Sequence, residues 1–231
     1  VQIDTVLDDS SEWIYHECLF IASEVAMKLY YSPGTCALAC HIVLEWTGKP
    51  YDLQKVSIHG QKSPELLNIN PQGAVPVLED GGWVLTQNLA IMNYLADTAA
   101  DAKLCGDNSA KCRAEINRWL AFLNADLHTA FKPLFGGTMY LGDDAVIEKT
   151  KNNATQAIVR MLTLTNQQLE KQDYLAGVRS MADAYLYVVL RWVKSLKIDI
   201  STLSALARFT DRMQADSGVQ KALAMEGLEK I

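Results

Sequence analysis

The residues Ser32-Pro33-Gly34-Thr35-Cys36 join a short apolar strand to an amphipathic helix and put a thiol at the mouth of that helix. Thr35 has the side chain of an N-cap, so Cys36 falls in the first turn beside amides that have no intrahelical partner. That position favours thiolate, the form that acts as nucleophile. A helix end contributes only about 0.3–1 kcal/mol to an exposed charge, which is less than about one pKa unit. A thiol starting near pH ~8.5 therefore stays mostly protonated at neutral pH unless further donors surround it. The first turn after a Pro-Gly loop opens toward a ligand cleft; the competing reading is one more small buried side chain, since free cysteine is among the most buried residue types. Cys40 lies one turn further on the same side. A disulfide within a regular helix would strain the torsion such bonds require, so Cys40 reads as core, with a resolving thiol as the alternative.

A second candidate is His128, on the apolar face of a long helix marked by Trp119, Leu120, Leu123, Leu127 and Phe131 and due to bend before Pro133. Taken alone it is as readily a satisfied interior side chain as a functional one. His16, His41 and His59 do not cluster with it at metal-ligand spacing, and no metal is expected. A third motif is Ser180-Met181-Ala182-Asp183, a hydroxyl three residues before a carboxylate ahead of a strongly apolar run. It reads as a capping box at the start of a buried central helix, a structural role for Asp183 rather than a catalytic one.

The elements that must position these groups follow from periodicity and punctuation. Lys28 to Tyr31 reads as a strand, Cys36 to Thr47 as a helix closed by Gly48, and Tyr51 to Ser57 as a second strand. A short helix begins at Pro64. Val75 to Leu78 and Trp83 to Leu85 flank Glu-Asp-Gly-Gly, a hairpin signal, and Gln87 to Ala96 has a helical apolar face. The order β-α-β then β-β-α predicts a mixed four-stranded sheet, with a crossover helix between parallel strands and a hairpin supplying the antiparallel ones. From Ser109 onward the period is helical to the end. All six prolines lie at or before Pro133. The chain thus divides into a sheet domain, 27–103, a small polar linker, and an all-helical domain, 109–231.

Composition limits the function. With 49% apolar residues in 231, the chain buries a substantial core. Residues 1–26 carry six acidic side chains and no Lys or Arg, which leaves 21 of each sign beyond them. A neutral body without a basic run has no electrostatic footprint for nucleic acid or an anionic membrane, and no apolar run approaches the ~18 residues of a membrane span. Five cysteines are too sparse for a disulfide scaffold, which suits a reducing cytoplasm. Residues 1–26 lack the basic start and unbroken apolar stretch of a secretory signal; they read as an acidic leader outside the fold, the native fold beginning at Met27, with an acidic docking tail as the alternative.

The thioredoxin-like β-α-β-β-β-α order, the Val-Pro pair in Asn-Pro-Gln-Gly-Ala-Val-Pro-Val-Leu, the Gln87-Asn88 pair opening the next helix, and Ser-Met-Ala-Asp inside a helical domain resemble the cytosolic glutathione transferases. Met-Lys-Leu-Tyr-Tyr-Ser-Pro-Gly-Thr-Cys from Met27 and Asp-Leu-His-Thr-Ala-Phe-Lys-Pro-Leu-Phe from Asp126 to Phe135 are most similar to the bacterial beta class. The resemblance covers 27–231. It implies a glutathione-dependent enzyme in which Pro76 is cis and Val75 pairs with the cysteinyl backbone of glutathione. Gln87 and Asn88 would receive the γ-glutamyl end and Lys62 the glycyl carboxylate, while the sulfur would lie near Cys36, Tyr31 and His128. Two chemistries fit: conjugation of the glutathione thiolate to a small hydrophobic electrophile, or thiol transfer through a Cys36 mixed disulfide. A homodimer in the cytoplasm is implied as well. Three departures stand out: Asn88 replaces a small hydroxyl, Thr129 follows the histidine where the beta class often has Lys, and no hydrophobe precedes Ser180 to staple the capping box. Asn88 and Thr129 favour the alternatives, a catalytically silent fold kept as a protein-interaction module or a ligand-binding protein.

Overall fold

The computed structural model describes residues 27–58 and 60–231. The acidic leader, His16, Cys18 and His59 lie outside the described residues. Strand β1 (Met27–Tyr31) leads through the Pro33-Gly34 loop into α1 (Ala37–Thr47), followed by β2 (Asp52–Lys55), α2 (Pro64–Ile69), β3 (Val77–Asp80), β4 (Trp83–Thr86) and α3 (Asn88–Thr98). The strand order is β2-β1-β3-β4, with β1 parallel to β2 and antiparallel to β3, and β3 antiparallel to β4. This is the mixed sheet that the pattern predicts. Helix α1 ends at Gly48, which takes the left-handed conformation at φ 66° and donates to the Glu45 carbonyl. Several boundaries differ from expectation: β1 begins at Met27, β2 is shorter at Asp52–Lys55, β4 runs on to Thr86 and α3 spans Asn88–Thr98. Helix α1 begins at Ala37, one residue late, and β3 begins at Val77 because the Val75–Pro76 peptide is cis and precedes the ladder.

The helical part comprises α4 (Ala110–Ala121), a wider π-helical turn over Phe122–Leu127, α5 (His128–Ala130), α6 (Asp144–Leu169), α7 (Met181–Ser195), α8 (Ser204–Ala215) and α9 (Ser217–Glu226). Ordinary helix stops before Pro133. Helix α7 is buried on nearly every side, Arg191, Lys194 and Ser195 being its exceptions, as its apolar sequence demands. Fully burying one of its Leu or Val side chains stabilises the fold by roughly 1.5–3 kcal/mol, so α7 is the axis of the bundle. One continuous core links Leu29, Leu38, Ile42, Leu78 and Ile91 of the sheet domain to Leu120, Tyr185 and Val189 of the bundle.

The capping box forms. Ser180 N and Oγ both donate to Asp183 Oδ2, at 2.8 and 3.0 Å, and Leu175 N donates to Oδ1 at 2.9 Å. Before it, where a hydrophobic staple is absent, Arg179 takes over. Its guanidinium lies 4.8 Å from the centre of the Trp46 ring and its Nη1 is 2.9 Å from Asp216 Oδ2. Asp216 also accepts from Trp46 Nε1 at 2.7 Å, so a cation replaces an apolar contact and ties α1 to the start of α9.

Candidate functional site

The Cys36 loop is held from the helical side. Gly34, at φ +72°, donates its amide to Glu226 Oε2 at 3.0 Å, and its carbonyl accepts from Trp192 Nε1 at 2.9 Å. Glu226 in turn meets His41 Nδ1 at 3.0 Å in a buried pair, and His41 Nε2 lies 3.0 Å from the Tyr51 hydroxyl. Cys36 occupies the N-cap position of α1, and its thiol is directed at the Val75 carbonyl, 3.5 Å away. Thr35, expected as the cap, donates to the Ser32 carbonyl at 2.7 Å and accepts from Ala37 N at 3.4 Å.

Two clefts meet at this thiol. One, of about 380 Å³, is lined by Cys36, Val75, Pro76, Gln87, Asn88 and His128 together with Asn124, Thr129 and Lys132. The other, of about 530 Å³, shares Cys36, Val75 and His128 and adds the apolar surfaces of Pro33, Ile58, Phe135 and Trp192. Both are of the size that takes small ligands. Phe131 and Phe135 stack at 5.7 Å and Phe135 meets Trp192 edge-on at 5.5 Å, so the second cleft has an aromatic wall. The start of α3 closes the first cleft: Gln87 sits at φ 77° and Asn88 is its first helical residue. A non-glycine residue held there costs of order 1–3 kcal/mol, a strain that clusters at ligand sites.

Six of the eight residues assigned to the site by sequence line these clefts. The other two do not. Tyr31 ends β1 with its ring against His41, centroids 6.2 Å apart, and the Glu226 carboxylate adds to burial in pushing its phenol up. It precedes the loop that leads to Cys36 and lines neither cleft. The tyrosine that meets the cleft-lining residues, from the core side, is Tyr185 of α7. Its hydroxyl lies 2.7 Å from His128 Nδ1 and donates to Asn124 Oδ1 at 3.1 Å. Lys62 stands at the rim: its Nζ donates at 2.8 Å to the carbonyl of Gln72, which lines the first cleft, and its chain lies over Gly73, which lines the second, so that a Cβ there would fall 2.4 Å from Lys62 Cδ. Lys132, one turn beyond Thr129, is the charged side chain that lines the first cleft.

Asn124 and Tyr185 escaped the sequence reading because one lies in the π-helical turn and the other inside an apolar run. The available signal for Asn124 was a polar residue four positions before His128. Wider turns of this type re-aim side chains and recur at functional sites.

Protonation states follow from burial. Desolvation pushes the Cys36 thiol up to about 11, against the lowering effect of the amides of Cys36 and Ala37. The helix mouth therefore does not produce a thiolate, contrary to the tendency expected from its position. Desolvation, and then the Lys132 charge, lowers His128 to about 4. Cys36 is a thiol and His128 a neutral imidazole at pH 7. Because Tyr185 spends its one proton on Asn124, His128 Nδ1–H donates to Tyr185 and Nε2 keeps its lone pair. Among the described residues, no group of three or more His, Cys, Asp or Glu converges as a metal site, and no described helix is long and apolar enough to cross a membrane.

A thioredoxin-like sheet domain and a helical domain that share a cleft at an N-terminal helix cysteine define a two-domain architecture, and the comparisons identify it. Residues 25–97 match the family described as glutathione S-transferase, N-terminal domain, and residues 119–216 match glutathione S-transferase, C-terminal domain. Glutathione S-transferase GST-4.5 of Xanthomonas campestris pv. campestris is 51% identical over 203 residues, which span 87% of this chain and 100% of that protein. A bacterial beta class glutathione S-transferase of Sphingomonas chungbukensis superimposes with a TM-score of 0.78 at 35% identity, covering 87% of this chain and 100% of that one. A sphingomonad glutathione S-transferase complexed with glutathione gives 0.77 at 34% identity, with the same coverage of each chain. This chain belongs to the glutathione S-transferase family.

Proposed function

We propose that this chain is a glutathione transferase that binds glutathione across the first cleft and conjugates its sulfur to a small hydrophobic electrophile held in the second. The observation that carries this reading is the convergence of Cys36, the cis Val75–Pro76 peptide, the start of α3 and His128 on one cleft. Residues 27–103 form the glutathione-binding domain and 109–231 the helical domain. The cysteinyl backbone pairs with Val75, the γ-glutamyl end meets Gln87 and Asn88, and Lys132 takes the glycyl carboxylate, the role expected of Lys62.

In the reaction, the glutathione S–H is aligned by His128 Nε2 and loses its proton to solvent through the open cleft. An imidazole lowered to about 4 is too weak a base to store it. The thiolate is stabilised by the Cys36 S–H, which turns from the Val75 carbonyl to donate to it. The sulfur then forms a bond to the electrophile, whose leaving group departs with the electron pair. Thiol transfer would need Cys36 itself as thiolate, and at a pKa of about 11 only roughly one part in ten thousand is ionised at pH 7. Conjugation is therefore the leading chemistry. Exposed Trp83 and Val84 on β4 support a homodimer, and the free thiols Cys36, Cys40, Cys105 and Cys112 support a reducing cytoplasm.

Calorimetric titration of glutathione into the protein starting at Met27 tests the binding. Saturable binding is expected, and its absence at millimolar ligand would transfer the weight to an interaction module. Cys36→Ser separates the chemistries: it abolishes thiol transfer and spares much of conjugation, whereas equal loss of both would refute the division.

A further inference from the structure

Cys105 and Cys112 line neither cleft, and the fold brings both thiols to one place. The linker after α3 coils tightly: Gly106 N donates to the Lys103 carbonyl and Asn108 N to the Cys105 carbonyl, each at 3.2 Å, with Lys103, Gly106 and Asn108 all at positive φ. Asp107 Oδ1 then accepts from Ser109 N at 2.9 Å, and Ser109 caps α4 by accepting from Cys112 N at 3.2 Å. These turns return the linker over the first turn of α4, where Cys112 stands. A Cβ on Gly106 would collide with the Cys112 sulfur and would lie 3.7 Å from Cys112 Cβ and 3.3 Å from Val178 Cγ2. The sulfur therefore fills the room that a side chain at Gly106 would take, against the backbone of the residue next to Cys105. Only glycine admits it there. Burial holds the Cys105 proton; the Arg113 guanidinium opposes this, and the Asp97 and Cys112 charges add to it, so the two thiols lie within each other's field. They differ in access, Cys105 being 3% exposed and Cys112 only half-buried.

We infer that Cys105 and Cys112 are a redox-active dithiol, which glutathione disulfide closes into an intramolecular disulfide that ties the interdomain linker to the first turn of α4. The reachable thiol is the one that attacks, and the buried one beside it resolves. Cys112 gives its proton to water and its thiolate attacks one sulfur of glutathione disulfide; that S–S bond breaks and the first glutathione leaves with the electron pair as a thiolate. Cys105 then loses its proton and attacks the Cys112 sulfur of the mixed disulfide, and the second glutathione leaves. Two protein thiols are oxidised and one glutathione disulfide is reduced to two glutathiones, which take up the two protons. Cys36 and Cys40 share one regular helix, where the torsion of a disulfide is strained. Cys105 and Cys112 are instead joined through a loop, whose turns can adjust to that torsion.

The test is a peptide map of the full chain after exposure to glutathione disulfide, with remaining thiols trapped by N-ethylmaleimide before digestion. Trypsin cuts after Lys103, Lys111 and Arg113, so residues 104–111 and 112–113 stay joined only through a disulfide. In the wild type these two peptides are recovered joined, lighter by two hydrogens than their summed masses, and dithiothreitol separates them. In Cys105→Ser the reaction stops one step earlier and Cys112 carries a glutathione adduct. In Cys112→Ser the buried Cys105 is recovered as its maleimide adduct, without glutathione. A wild type in which both thiols are recovered alkylated overturns the proposal. So does a wild type in which Cys112 keeps its glutathione as in Cys105→Ser, or one in which the link forms only after unfolding in guanidinium chloride. The wild-type map decides even where a serine variant fails to fold. Glutathione binding to the clefts is read separately by calorimetry, so failure of that reading and failure of this one are distinct results.

Discussion

Two helix starts in this molecule are built to opposite specifications. At α7 the capping box saturates the backbone: the Asp183 carboxylate takes three donors, all buried. At α1 no side chain of the N-cap residue closes the turn, and a thiol stands where a serine or aspartate would cap. Helix α3 is like α1, with no capping side chain and a positive φ at Gln87. The saturated start lies in the core and the two unsaturated ones face the clefts. Donors left unmet inside one protein are the ones available to a ligand, and their cost is carried by packing such as that around α7.

The contrast is broken most strongly at Asp183. Asp183→Ala removes a cap and strands buried donors, for a loss of about 3 kcal/mol and roughly 10 °C in melting temperature. Glutathione affinity of the folded fraction stays unchanged. Thermal unfolding with and without glutathione checks both halves.

The two regions also pull stability in opposite directions with pH. His128 is lowered from 6.5 to about 4, so between those values the unfolded chain binds more protons there and stability is lost as pH falls. Asp183 is raised from 3.8 to about 6 by burial, despite its donors, so its contribution is lost as pH rises through that window. His128→Phe should therefore remove the acid-side loss and leave the Asp183 slope, while Asp183→Asn should steepen the loss toward acid. Denaturant midpoints at about pH 4.5 and 6.5 read the two slopes.

A smaller effect is expected at Cys36. Its thiolate, followed by ultraviolet absorbance or by the rate of alkylation, should appear with a midpoint of about 11. A midpoint near neutrality would restore thiol transfer as the leading chemistry. The smallest effect is at Tyr31, where Tyr31→Phe should change conjugation by less than about twofold in kcat/KM, because no hydrogen bond joins its hydroxyl to the clefts.

What could be read in the sequence follows the same division. The capping box was legible because its two side chains are three residues apart on one chain segment, and the sheet order because turn residues and periodicity are local. Cys36, Val75, Pro76, Gln87, Asn88 and His128 were placed by motif, and the fold brings all six together. Tyr31 belongs to the site only by what the family resemblance implies, and strand geometry sends neighbouring side chains to opposite faces. Tyr30 meets Glu79 at 2.9 Å and Tyr31 meets His41, and neither reaches the clefts. Tyr185, Asn124 and Lys132 depend on how the helical domain is rotated against the sheet domain. That rotation includes a π-helical turn which local spacing does not encode. Lys62, a long side chain on a loop, stands at the rim of the first cleft on the carbonyl of Gln72.

The most direct test of the account is a crystal structure of the protein with glutathione bound. The account predicts the peptide paired with Val75, its sulfur between Cys36 and His128 Nε2, its γ-glutamyl end at Gln87 and Asn88 and its glycyl end toward Lys132. Glutathione bound elsewhere, or with its sulfur out of reach of both Cys36 and His128, would contradict it.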